Sequence, residues 1–465
     1  MNAAPLRIEL RRSVAPVAAL AVLAGGVAYL YLLDGPWTQR STAWTAQWTA
    51  LALWTRSLLV VLWPVAVGLG ALQGLRDHRS KAVELLASTP RPLLHRTAVL
   101  AGALALAVVT AFALIVLSGA VQVMGNATYV HLRWLPIVLV GALSLAAGTV
   151  LGLGVGRALP SPFTPPALAM AAFAFVVLLG DLLGQRQLVT DQGIPYTEPN
   201  RLSLLSPAVG EVRDVLTTLA PSVHLGQSVW LLGMAATGLA LLMASTPRGR
   251  LLAGVPLLAG LVLALTVLPT DLRRMYVADG SAAHLVCEGP VCVTQVQRGQ
   301  LAGLAGPAGT ALSLLDRKLG PDAPRAVQED TASPTVGTPP ARRRATVLFR
   351  FDDPLFAGAR GERLTRAVIA QSLVPDCSLL PPSWGGSVAV DDVIAQSVAT
   401  RWVTGHPQPL PGMLPPGATE RAESAWRALA ALPPGEQRAR VRAMREVTHS
   451  CQGEPLAALE GGTAR

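Results

Sequence analysis

Seven stretches of the chain are apolar over a membrane-spanning length: 14–33, 57–74, 98–119, 135–156, 164–183, 228–244 and 251–268. Crossing about 30 Å of hydrocarbon takes roughly 17–25 helical residues. Only the fifth stretch holds a charge, Asp181, two residues from its end. Lipid cannot satisfy an open backbone, so each stretch is read as an α-helix. Beyond Pro269 the pattern becomes that of a water-soluble domain. His284 to Cys287, Cys292 to Val296 and Ala345 to Phe351 read as short strands. Helical spacing recurs at Val390, Ile394, Val398 and Trp402, at Ala422, Trp426 and Leu429, and at Val441, Met444 and Val447. Residues 320–344, rich in Pro, Thr and Ala and ending in Arg342-Arg343-Arg344, read as a flexible loop. The expected fold is an all-α polytopic membrane domain (14–269, seven transmembrane helices, N-terminus inside), followed by a smaller α+β extracytoplasmic domain (270–465). At about 195 residues that second domain can bury its own core.

Composition agrees with a membrane protein. Of 465 residues, 51% are hydrophobic and 14% charged, against about 25% charged in soluble chains; the mean hydropathy is +0.44. Disorder and collagen-like repeats are excluded, because the apolar fraction is too high and no Gly-x-y period appears. The isoelectric point near 10.3 does not indicate nucleic acid, since residues 1–269 carry 17 basic and 9 acidic residues beside apolar spans while the rest is nearly balanced. Those basic residues set orientation. With the N-terminus inside, 11 fall in 49 cytoplasmic residues and 6 in the 82 residues of the short outside loops, the positive-inside bias. Trp37, Trp44, Trp48 and Trp54 sit in the first outside loop as interfacial aromatics do. The first span is too long for a signal-peptide core and no A-x-A site follows it, so it is read as retained. The chain is therefore expected as a multi-pass protein of the plasma membrane.

Cys287, Cys292, Cys377 and Cys451 all lie in the tail, and none in the membrane half. Disulfides persist outside the cytoplasm, so their placement supports an outside tail. Of three possible pairings, Cys287–Cys292 and Cys377–Cys451 are favoured, with free thiols or a zinc site as alternatives. No metal is expected, as the C-x₄-C spacing lacks a second matched pair.

Signatures of enzymes are missing: there is no G-x-x-x-x-G-K-[ST], H-E-x-x-H, G-x-S-x-G or G-x-G-x-x-G. Gly148, Gly152 and Gly156, like Gly70 and Gly74, recur at four-residue steps that suit close helix packing, though general glycine richness would also produce them. Asp181 can reach headgroups or water. His284, His406 and His449 are scattered and read as surface or core residues. No catalytic residue and no cofactor of the chain itself is expected.

The most informative segment is the cytoplasmic loop 75–97. Ala82, Val83, Leu86 and Ala87 form an apolar stripe, Asp77 can pair with Lys81 one turn on, and Pro90 and Pro92 stop the helix. Such a helix can receive force from a cytoplasmic partner or lie on the membrane as a connector. Within it, Glu84-Leu85-Leu86-Ala87-Ser88-Thr89-Pro90-Arg91 resembles the E-L-L-x-S-T-P-x-x-R stretch of permeases of ATP-binding-cassette (ABC) exporters of the second type, in which the stretch docks on the ATPase subunit. Pro5 to Ser13 resembles the family's amphipathic elbow helix (1–13 here), and Ser206-Pro207 with Val209, Val212, Leu216 and Leu219 resembles its short outside helix between spans five and six. The resemblance covers residues 1–245; a seventh span and an outside domain depart from it. It implies an exporter subunit that works with a separate cytoplasmic ABC ATPase and a second permease copy. ATP and Mg would be bound by the ATPase, and Glu84, Leu85, Leu86, Ser88, Thr89, Pro90 and Arg91 would form the docking surface. The rival readings are a non-transporting membrane protein whose outside domain binds a ligand or partner, as sensor or scaffold, and a membrane-anchored extracellular hydrolase.

Overall fold

Proline opens most of the long apolar helices. In a computed structural model, which describes residues 13–38, 42–76, 93–189, 193, 195–209, 214–332, 341–377, 390–406, 410 and 417–462, helix α1 (Ala15–Leu32) carries Pro in its first turn. So do α5 (Leu135–Ala158), α6 (Thr164–Val177), α7 (Pro221–Met243), α8 (Pro247–Leu252) and α9 (Val255–Val267). The missing N–H costs nothing there and the fixed φ is already helical. Between α1 and α5 lie α2 (Trp48–Ser57), α3 (Leu59–Gly74) and the 34-residue α4 (Leu93–Asn126). Among the described residues six helices are long and apolar enough to cross a membrane, and the pair α2–α3, bent by 49°, makes up to seven if it counts as one span.

The chain divides into two compact units, one formed by Met1–Val189 and Gly193–Val277, the other mainly by Ala278–Arg465. Glycine decides how the first packs. An added Cβ would overlap backbone oxygen at Gly70 (Thr149 O), Gly74 (Leu153 O), Gly152 (Val67 O), Gly156 (Ala71 O), Gly154 (Gly238 O) and Gly238 (Val150 O). So α3, α5 and α7 meet backbone to backbone, which is the small-residue mode of packing in lipid. Trp63, from α3, donates to Ser144 O of α5 at 3.0 Å.

The second apolar stretch begins earlier than its charge-free window. The helix starts at Trp48 and runs through Arg56 before it bends. Thr55 and Ser57 bond back to the carbonyls of Leu51, Ala52 and Trp54, and Pro64 inside α3 cannot donate to Val60. Both effects bend helices. Trp48 and Trp54 are thus helical, and Trp37, Trp44 and Trp48 are buried rather than floating in a loop. Trp48 stacks on Trp134 with centroids 5.2 Å apart.

Two further differences concern the segment between α6 and α7. A hairpin of β1 (Gln185–Val189) and β2 (Pro195–Pro199) stands where no strand was expected. Of the expected short helix after Ser206-Pro207, the described residues 206–209 and 214–216 are not helical and the last three form a strand, β3 (Thr217–Leu219); a 3₁₀ turn, Ser203–Leu205, precedes them. Val209, Leu216 and Leu219 are buried, so these apolar residues serve the interior without helical geometry; Val212 lies outside the described residues.

The second unit is α+β. Strands β4 (Leu285–Glu288), β5 (Val291–Thr294), β6 (Ala326–Glu329) and β7 (Thr346–Phe349) form one sheet in sequence order. The first pair is antiparallel and the next two are parallel. Helix α10 (Leu301–Leu319) makes the crossover from β5 to β6, burying Leu304, Ala308, Ala311, Leu315 and Leu319 along one stripe. Then follow α11 (Glu362–Leu373), α12 (Val390–Thr404), α13 (Ala418–Ala430), α14 (Pro434–Ser450) and α15 (Pro455–Glu460). Val327, Phe349, Val368, Ile394 and Met444 fill a core separate from that of the membrane helices. Strand β6 falls inside 320–344, so that stretch is not a loop throughout; its polar Gln328 and Glu329 hid a strand that pairs on both sides.

Candidate functional site

The expected docking residues Glu84, Leu85, Leu86, Ser88, Thr89, Pro90 and Arg91 lie outside the described residues, as does the elbow up to Arg12. The described structure brings together another group that sequence reading passed over. Arg56, counted from sequence among the outside-loop cations, is 0% exposed. The bend between α2 and α3 aims its side chain across α5, and an added Cβ at Gly141 would come 2.8 Å from its Cδ. Its Nε donates to Pro207 O at 3.1 Å, Nη1 to Ile137 O at 3.3 Å and Nη2 to Gln227 Oε1 at 3.3 Å.

Those three acceptors belong to three segments: the 200–209 turn, the start of α5, and α7. The turn is itself fixed. Asn200 accepts from Leu202 N and donates to Leu183 O, while Gln227 Nε2 donates to Leu204 O at 2.9 Å and Trp230 Nε1 to Leu205 O at 3.1 Å. Among the described residues no carboxylate forms an ion pair with Arg56. Among the described residues its hydrogen-bond acceptors are carbonyl and amide oxygens, and its rigid fork of donors suits acceptors arriving from several directions. The arrangement can tie helices together and hold a positive charge away from water. Its sequence signal was the continuation of apolar residues Trp48 to Leu53 upstream of Arg56.

Asp181 lies exposed in the single π turn, Leu178–Leu182, that ends α6. In the second unit the cysteines pair as favoured, Cys287–Cys292 and Cys377–Cys451. The first closes the β4–β5 hairpin across directly opposed positions. The second joins the residues that follow α11 to the C-cap of α14, where Cys451 adopts a left-handed φ of 51°. Nearby, burial and surrounding arginines, Arg445 first, pull the His449 imidazole down to about 4, so it is neutral at pH 7. Burial pushes the Glu329 carboxyl up to about 7 even though Thr294 donates two hydrogen bonds to it. Burial, together with Asp376 and Asp391, pushes Asp392 up to about 6. His284, His406 and His449 do not converge, and among the described residues no group of three or more His, Cys, Asp or Glu could hold a metal.

The chain matches no model of a known protein family, no curated protein and no solved structure.

Proposed function

We propose that this chain is the membrane subunit of an ABC exporter, moving a substrate across the plasma membrane under the power of a separate cytoplasmic ATPase. The observation that carries the reading is the segment Glu84 to Arg91, set between the end of α3 and the start of α4. At 1.5 Å per residue the 34-residue α4 is about 51 Å long, longer than the roughly 30 Å of hydrocarbon. ATP binding would draw the docking segments together, and the differential affinity of two conformations for nucleotide would shift the exposure of the path.

In this reading α2 and α3 form one span. Supporting it, Val14 N donates to Gln73 Oε1 at 3.1 Å at one end of α1, and Tyr31 meets Trp44 edge-on, 5.0 Å away, at the other. The chain then crosses seven times and its tail emerges opposite the N-terminus, on the oxidising side that disulfides require. In this reading Arg56 lies toward that outer end, where it ties the 200–209 turn to the bundle.

The test is affinity purification of the tagged full-length chain from its native membranes, with co-purifying Walker-A ATPases identified by mass spectrometry. Glu84→Arg and Leu86→Asp should remove the ATPase while leaving insertion intact, since a charge reversed or buried in a docking contact typically costs about 2–5 kcal/mol. Retention of the ATPase by both variants, or its absence from the parent, would overturn the reading. A second reading, a ligand-binding membrane protein without transport, is favoured by one observation: the second unit contains an open cleft whose lining includes Glu362, Arg366, Thr404 and His406.

A further inference from the structure

The two bridges of the second unit sit in unlike surroundings. At Cys377–Cys451, Arg342 Nη1 lies 3.0 Å from Cys377 Sγ and donates to Thr448 O at 3.2 Å. Other charges stand further off. Asp376, the residue before Cys377, faces Arg342, while Arg344 and Arg445 are answered by Glu446 and Asp322. Burial, then Arg445, Arg344 and Arg342, hold the His449 imidazole neutral two residues from Cys451, so the field there is positive despite Glu446. Both cysteines are half-buried. Half-exposed sulfur beside a cation is the usual setting of a reactive cysteine.

The bridge is also asymmetric. Cys451 caps the C-terminus of α14, the negative end of the helix dipole. Among the described residues it is the one non-glycine with a positive φ, 51°, a conformation that any side chain disfavours. A thiolate at Cys377 would meet a guanidinium, whereas one at Cys451 would meet the last carbonyls of a helix. Cys287–Cys292 has no such neighbour: among the described residues no hydrogen bond reaches either sulfur, and the acidic Glu288 follows Cys287 in the hairpin.

A cation beside one sulfur makes that sulfur the better leaving group. We infer that Cys377–Cys451 is a thiol–disulfide exchange site whose electron donor is a dithiol. The donor's thiolate bonds to Cys451 Sγ, the S–S bond breaks, and its electron pair leaves on Cys377 Sγ beside Arg342. The donor's second thiol, deprotonated, then attacks the donor sulfur of the mixed disulfide. That step releases the Cys451 thiolate and closes the donor's own disulfide. Two electrons and two protons pass from the dithiol to the two cysteines. Opening also lets Cys451 leave its left-handed conformation, while the core around Val368, Ile394 and Met444 continues to hold the unit. This holds irrespective of what powers the membrane unit.

The test is a redox titration of the full-length protein in nanodiscs against reduced and oxidised dithiothreitol. Acid quenching, alkylation and peptide mass spectrometry read each bridge separately. Cys377–Cys451 should open while the second unit still melts cooperatively, and glutathione trapped by acid should sit on Cys451 rather than Cys377. In the reduced protein the Cys377 thiol should react with iodoacetamide with a midpoint below the ordinary value of about 8.5. Arg342→Met should make the bridge about tenfold harder to open, a potential about 30 mV lower, and leave Cys287–Cys292 unmoved; Arg342→Lys should keep most of the parent value. If Arg342→Met does not fold, the thiol titration of the parent decides alone. Opening only with loss of the fold, glutathione chiefly on Cys377, an ordinary Cys377 midpoint, or a folded Arg342→Met with the parent's potential would each overturn the inference.

Discussion

Replacing Arg56 by lysine isolates what the guanidinium does. The wild-type group reaches three acceptors, Pro207 O, Ile137 O and Gln227 Oε1, in three chain segments. A lysine ammonium is a single compact charge on a shorter reach, so it leaves at least two of the three acceptors empty while keeping a charge out of water. Hydrogen bonds between helices in lipid contribute about 0.6 kcal/mol on average and up to about 1.7; losing two or three therefore costs roughly 1–5 kcal/mol. Arg56→Met loses the same bonds but also removes the buried charge, whose desolvation costs several kcal/mol. The expected order of stability is parent, then methionine, then lysine. At about 2–4 °C per kcal/mol for a unit of this size, the lysine variant should melt on the order of 2–20 °C below the parent. The assay is fluorescence-detected size-exclusion melting of the full-length protein in mild detergent. A lysine variant as stable as the parent would mean that charge alone matters and that the three-way tie is incidental.

In the same assay Gly152→Leu should cost about 1–3 kcal/mol through overpacking against Val67 O, whereas Gly102→Leu, with nothing within 4 Å of an added Cβ, should be neutral. Replacing Cys377 and Cys451 by serine should destabilise the second unit by about 4 kcal/mol, because the bond spans 74 residues, and Cys287 with Cys292, spanning 5, by only about 2; equal losses in thermal melts would contradict the chain-entropy account. Glu329, near pH 7 in the folded protein against 4.5 unfolded, is held in its neutral form. Its contribution is fully present below pH 4.5 and is lost as pH rises through 7, about 2–4 kcal/mol in all. Chemical denaturation at pH 4.5 and 8 should show that loss in the parent and a flatter profile in Glu329→Gln.

How much of this was legible in the residues follows from the range of the forces involved. Long apolar runs report burial in lipid wherever they occur, so the positions of the membrane helices could be read locally. So could the tail helices at Val390, Ala422 and Val441, whose apolar spacing is 3.6. The strand Ala326–Glu329 could not: its burial alternates, but its residues are Ala, Val, Gln and Glu, and only parallel neighbours on both sides make it a strand. The helix at Leu301–Leu319 was missed because Gly303, Gly306, Pro307 and Gly309 interrupt its Leu and Ala stripe with residues that ordinarily break helices.

The sequence by itself determined a membrane-embedded, mainly helical half, a separate half with its four cysteines, and the segment Glu84 to Arg91 between two apolar runs. These are statements about composition and short-range periodicity, which each stretch of chain carries alone. The tertiary structure decided which glycines touch backbone, that Arg56 lies inside rather than in a loop, and that Glu362, Arg366 and His406 share one cleft. Arg56 and Pro207 stand 151 positions apart. No local pattern encodes such a meeting, because it depends on how every intervening helix packs.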